Sequence, residues 1–329
     1  MSLENYILYP ERDSQSWGFY KRQEASDWSA EEFDFTKEKE EYLESPPNIQ
    51  RLIKTIFGFF LIGDGLISEE LVKLLQKSID QKNWPKFFYL SMQLKIENTH
   101  SETYSKAALT IVPVQEHQEI YNMCKDLECI KLKGDWIKKN IEQAESEGLD
   151  NIACACGEGI FFVSLFAYIF YLRSLGMFKN FIESNEQISK DETLHRDEKC
   201  AEAKRTLKSD EHEKAYSIIK SAVEVEKKHC EYLLSIPVAG EQADRDTGLT
   251  RENLFLYIEK LSDQICDLAG LEPIYNSDVE LGWMKDINLS QKSNFYERNV
   301  IGSYRRFDPN TINETERDDC ILNPEDEDF

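Results

Sequence analysis

Between Ile152 and Leu172 the chain reads IACACGEGIFFVSLFAYIFYL, and one acid, Glu158, stands inside that apolar run. About twenty residues this apolar either cross a bilayer or form the centre of a core. Glu158, its flanking glycines Gly157 and Gly159, and the lack of a second run of similar purity favour a core helix over a membrane span. An isolated carboxylate buried there is costly unless it is neutralised or coordinated. Another part of the chain must therefore meet Glu158.

Three other segments offer partners: Glu97-Asn-Thr-His100, Glu192-Thr-Leu-His195, and Asp64 within FGFFLIGDGLI. Residues i and i+3 share a helix face, so each acid–histidine pair presents two ligand-type groups together. One such pair occurs often by chance. Two pairs at the ends of apolar helical runs, plus single acids at Asp64 and Glu158, reproduce the ligand plan of dinuclear carboxylate bundles. Four carboxylates balance two divalent ions, and that removes the burial penalty. Oxygen-rich ligation with one imidazole per ion suits iron or manganese rather than structural zinc. The plainer alternative, buried acid–histidine pairs without metal, must explain each of the six residues separately.

A formal charge of −23 over 329 residues argues against a nucleic-acid surface, which needs a basic patch. The opening residues are polar and aromatic and lack the charged–apolar–small order of a signal sequence. Eight cysteines show no disulfide-framework spacing, so a reducing, cytoplasmic location is expected.

Residues 1–28 read as mostly irregular, and Ser29-Ala-Glu-Glu32 as a capping box opening an acidic segment that Pro46-Pro47 ends. Apolar residues then recur at helical spacing from Asn48 to about Lys82, from Trp84 to Val112, and in one or two helices over 115–148. After the apolar run, helices are expected over about 178–207, 210–236 and 251–269, with an acidic loop at 239–249. No strand alternation is convincing, so the fold reads as all-α. From 270 onward apolar residues are sparse, and a disordered tail is expected. Ile321, Leu322 and the terminal Phe329 stand there as isolated apolar anchors in an acidic segment, the composition of a docking peptide.

Several stretches together resemble the small, radical-generating subunit of class I ribonucleotide reductase. They are EASDWSAEEFD (24–34), GDGLISEELV (63–72), IENTHSETYS (96–105), EGIFFVSLFAYIFYL (158–172), SNEQISKDETLH (184–195) and the ending Asp328-Phe329. The resemblance implies a ferritin-like helical bundle over 1–290, with additional helices, and a flexible docking tail over 291–329. It implies two iron ions, with manganese as the other option: Asp64, Glu97 and His100 for one, Glu158, Glu192 and His195 for the other. Tyr104, seven residues beyond Glu97 and two helical turns along the same face, matches the radical tyrosine. Phe162, Phe166 and Ile188 match the apolar wall around it. Trp28 and Asp191 match a relay reaching the metal through His100, and Tyr304 matches the residue that passes the radical onward. The tail would bind the large subunit, which carries the nucleotide site, and the chain would form a homodimer. Lys190 departs from the arginine common in relatives.

No phosphate-binding or dinucleotide fingerprint occurs in this chain, so substrate chemistry is expected on another polypeptide. A di-metal oxidase or hydroxylase would keep the ligands but needs a substrate channel. A storage protein would need neither Tyr104 nor the tail.

Overall fold

The computed structural model describes residues 13–284, apart from the side chains of residues 62–70 and of Cys124. Among the described residues there are twelve α-helices and no strand. They are α1 (Ser14–Ala25), α2 (Thr36–Glu44), α3 (Pro47–Asp80), α4 (Trp84–Ile111), α5 (His117–Asp126) and α6 (Glu128–Asn140). After them come α7 (Glu147–Ile160), α8 (Val163–Ser174), α9 (Lys179–Thr206), α10 (His212–Leu234), α11 (Glu241–Thr247) and α12 (Arg251–Ala269).

Local chemistry sets most boundaries. Pro47 opens α3, where a missing N–H costs nothing, and Asn83 caps α4 by accepting from the Lys86 amide at 3.1 Å. Val112 and Pro113 end α4. The acidic segment before Pro46 has a defined task. Glu41 accepts from the Phe178 amide at 2.9 Å, and Glu38 accepts from the Asn180 amide at 2.6 Å, so two acids of α2 cap the N-terminus of α9.

Three expectations are corrected. Within the described part of the first 28 residues the chain is mostly helical instead of irregular: α1 occupies Ser14–Ala25, with Asp13 accepting from the Ser16 amide at 2.9 Å, and residues 1–12 lie outside the described residues. The loop at 239–249 contains α11. Residues 271–284 pack on the bundle: Leu271, Leu281 and Met284 are buried, and the Trp283 indole donates to the Ala167 carbonyl at 2.9 Å.

The apolar run lies inside the molecule, with 89% of its most apolar window buried, and it is two helices instead of one. The break at Phe161-Phe162 is held by charge. Lys133 donates to the Phe161 carbonyl at the end of α7, and Glu226 accepts from the Ser164 amide at the start of α8 at 2.8 Å. A cation thus meets a helix C-terminus and an anion an N-terminus, as the helix dipoles favour. Lys133 and Glu226 meet at 2.6 Å, and His229 Nδ1 lies 2.6 Å from the same ammonium.

Helices α7 and α9 form the central pair. A Cβ at Gly148 would come within 2.5 Å of the Leu207 Cα, so only glycine allows this approach. That contact sets the acid of α7 against those of α9.

Candidate metal centre

Helix α4 supplies Glu97 and His100, α7 supplies Glu158, and α9 supplies Asp191, Glu192 and His195. All six side chains are buried. Ligand atoms of Glu97, Glu158, Glu192 and His195 lie within 4.8 Å of one another. His195 Nδ1 stands 3.0 Å from Glu97 Oε1 and 3.5 Å from Glu192 Oε2. His100 Nδ1 stands 3.1 Å from Glu192 Oε1 and 3.5 Å from Glu97 Oε2. The structure thus gathers five of the six expected ligands. The sixth, Asp64, is on α3, and its side chain lies outside the described residues, as do Tyr304, Ile321, Leu322 and Phe329.

Much of this cluster lacks hydrogen bonds. Both Glu97 oxygens, one oxygen each of Glu158 and Glu192, His100 Nδ1 and both ring nitrogens of His195 make no hydrogen bond, although the two Nδ1 atoms stand in ion-pair contact with the acids. Native cores rarely leave so many buried polar atoms unanswered. The electrostatics agree. Burial, then the nearby Glu192 and Glu97 carboxylates, pushes Glu158 well above the usual carboxylate range. At His100 and His195 burial opposes protonation, but the surrounding acids prevail and hold both imidazoles above their ordinary value. Three acids facing two imidazoles, with ligand atoms turned inward and short of hydrogen bonds, fit divalent metal ions.

The outer side of His100 is fixed. Its Nε2 lies 3.2 Å from Asp191 Oδ2, which also accepts from the Trp28 indole at 2.7 Å, and the Trp28 and His100 rings stack with centroids 5.9 Å apart. Holding Nε2 outward leaves Nδ1 aimed at the acids, the usual arrangement behind a metal-bound imidazole. Gln23 completes the group, donating to Asp191 Oδ1 at 2.7 Å.

Further along α4, Tyr104 is fully buried and donates to Asn185 Oδ1 at 2.7 Å. Phe60 stacks on its ring at 4.2 Å and lies 5.7 Å from the Phe162 ring and 5.8 Å from the Phe166 ring; Ile188 is buried as well.

Sequence reasoning singled out neither Gln23, Phe60, Gln93 nor Asn185. Gln93 donates to Glu158 at 3.1 Å. Its position one helical turn before Glu97 was the available signal. Asn185 stood inside a motif already noticed, but its polarity gave no hint of what it would touch.

Buried acid–histidine pairs on neighbouring helices of an all-α bundle define a protein of the ferritin-like di-metal carboxylate class. The family described as ribonucleotide reductase, small chain, matches residues 5–281. The ribonucleoside-diphosphate reductase small chain of vaccinia virus (strain Ankara) is 33% identical over 302 residues, 92% of this chain and 91% of that one. The fold is similar to the Rnr4 homodimer of Saccharomyces cerevisiae, with TM-score 0.69, 22% identity, and 87% and 89% of the two chains covered. It is also similar to dimanganese(II)-NrdF of Streptococcus sanguinis, with TM-score 0.70, 19% identity, and 87% and 98% covered. The chain belongs to the ribonucleotide reductase small-chain family, whose role is to generate a radical and pass it to a large subunit.

Proposed function

We propose that this chain initiates the reduction of ribonucleoside diphosphates by holding an oxidised Tyr104. In this reading Asp64, Glu97 and His100 hold one iron ion, and Glu158, Glu192 and His195 hold the second. Bound iron, with dioxygen, would supply the oxidant for Tyr104. The oxygen-rich ligand set admits manganese too, and the streptococcal neighbour is a dimanganese(II) protein.

One observation carries the reading: two buried, oxidisable aromatic side chains accompany the carboxylate cluster in different settings, Tyr104 on the same helix as Glu97 and His100. Trp28 is wired by Asp191 to His100, while Tyr104 meets the rings of Phe60 and Phe181, and Phe60 in turn meets Phe162 and Phe166. Metal storage calls for neither. Asp191 orients the imidazole and accepts from the indole, so an electron entering at Trp28 has a hydrogen-bonded path to His100. Asn185 holds the phenolic proton of Tyr104 at its Oδ1. The surrounding rings exclude water, which keeps reductants from the ring.

The same reading gives Tyr304 the passage of the radical onward and gives Ile321, Leu322 and Phe329 the docking of the large subunit. It makes residues 1–290 the bundle and 291–329 the tail. A homodimer is supported by the yeast neighbour, solved as one. A reducing, cytoplasmic setting is supported by six described cysteines that are buried and form no disulfide.

The test is low-temperature electron paramagnetic resonance after ferrous iron and dioxygen are added. A tyrosyl signal in the wild type that disappears in Tyr104→Phe is expected. Iron uptake with no radical would instead favour an oxidase or storage protein.

A further inference from the structure

A line of polar side chains leaves the acid cluster along α4 and α9. Steps of about one turn lead back along α4 from Glu97 to Gln93, Tyr89 and Lys86, and forward along α9 from His195 to Glu198 and Glu202. Gln93, Tyr89, Glu198 and Glu202 are buried. The outer end is closed by charge: Glu202 meets Lys86 at 2.6 Å and the exposed Arg205 at 2.7 Å. The middle is not. Tyr89 Oη, Gln93 Oε1, Glu158 Oε2 and both Glu198 oxygens make no hydrogen bond, although Glu198 Oε2 stands 3.1 Å from the buried Lys199 ammonium. Burial, then the charges of Glu198, Glu158 and Glu97, raises the Tyr89 phenol well above its ordinary value, so its hydroxyl keeps its proton. Lys199 and Glu158 also border one cavity, of about 270 Å³, whose lining includes Lys73, Asp135, Lys138 and Glu142, so water has room beside both.

We propose that buried water joins these side chains into a proton path from Glu202 to the edge of the metal site at Glu158, with Glu198 as the carrier in its middle, an inference that rests on the iron–dioxygen reading above. Buried oxygens in native cores are answered by protein or by ordered water, and water is what fits among a phenol, an amide and two carboxylates. Dioxygen takes up a proton for each electron as it is reduced to water. The path moves only the protons. Glu198 accepts one from water on its Glu202 side and releases one to water on its Glu158 side, so each passage makes and breaks one O–H bond and Glu198 returns to carboxylate. Lys199, Lys86 and Arg205 balance the acids along the line, which therefore suits protons and not ferrous ions.

The test begins with high-resolution crystals of the metal-free protein. Ordered water is expected between Tyr89 Oη and Glu198 and again beside Gln93 Oε1; water confined to the cavity beside Lys199, or none at Tyr89, overturns the proposal. Glu198→Gln keeps the side chain's shape but cannot carry a proton. It is expected to slow tyrosyl-radical formation roughly tenfold and to raise the solvent deuterium isotope effect on that step, with iron uptake at the wild-type level. Glu198→Asp, which keeps a carboxyl, should recover most of the rate, and Tyr89→Phe should lose the bridging water and slow the step less. A wild-type rate and isotope effect in Glu198→Gln overturn the proposal alone, whereas a wild type that forms no radical overturns the iron reading and this proposal with it. Should Glu198→Gln not fold, the water positions and the rate in Tyr89→Phe decide.

Discussion

At the break between α7 and α8, one buried cation answers one buried anion: Lys133 and Glu226 meet at 2.6 Å, and each also satisfies a helix end. Three residues before Phe161, at Glu158, the balance is different. There Glu97, Glu158 and Glu192 crowd together with two imidazoles and the Gln93 amide, and most of their inward atoms lack hydrogen bonds. Both clusters are buried in one fold. The first is closed by the protein's own charges and shapes the backbone; the second carries an excess of acid that, in the proposed reading, added cations would complete. Buried charge therefore marks a ligand site when the protein leaves it unbalanced, and marks architecture when it does not.

The largest effect is expected from opening the closed cluster. Lys133→Met strands Glu226 and should cost about 3–5 kcal/mol in chemical denaturation, whereas Lys133→Met combined with Glu226→Gln should recover most of it. Comparable losses in the single and double variants would show that the pair does not balance itself.

A pH effect follows from His229. Burial, and then the neighbouring Lys133, lower its pKa to about 4. Unfolded histidine takes a proton below about 6.5, while folded His229 resists until about 4, so unfolding takes up a proton and stability falls with pH across that window. The contribution is on the order of 3 kcal/mol, and His229→Gln should flatten that part of the stability–pH curve. An unchanged slope would place the acid sensitivity elsewhere.

The open cluster should respond with the opposite sign. Glu158, held above the usual carboxylate range by burial and by Glu192 and Glu97, opposes folding at neutral pH without metal. Its pKa is raised on folding, so its stabilising contribution is full at low pH and lost as pH rises. Glu158→Gln is expected to raise the Tm of the metal-free protein by a few degrees at pH 7 while weakening metal binding. A lower Tm in the metal-free variant would mean that the site is balanced without cations.

The smallest effect is expected at Trp28. Trp28→Phe removes one donor from Asp191, which keeps Gln23 and His100, so a loss of about 1–2 kcal/mol is expected from thermal unfolding. A larger loss would make the indole chiefly a structural anchor.

Much of this contrast was legible in the sequence, because apolar periodicity and the spacing of Glu97–His100 and Glu192–His195 are local signals. Caps and prolines likewise marked most helix ends. The break at Phe161-Phe162 was not legible: a segment apolar on all sides has no phase, and the groups that hold the break lie at Lys133 and Glu226, far along the chain. Helix α1 escaped for a different reason. Its apolar face is weak, and Asp13, the capping residue that marks its start, is a short-range signal easily passed over beside Pro10. Asn185 and Gln93 became meaningful only when the bundle set them against Tyr104 and Glu158.

The most direct measurement is an anaerobic titration of the metal-free protein with ferrous iron, followed by bound iron per chain and by Tm. Two ions per chain are expected, with Tm rising until both are bound and stabilisation of about 4 kcal/mol at a free concentration a thousandfold above Kd. Binding of fewer than two ions, or a Tm indifferent to iron, would contradict the claim that cations complete the acid cluster.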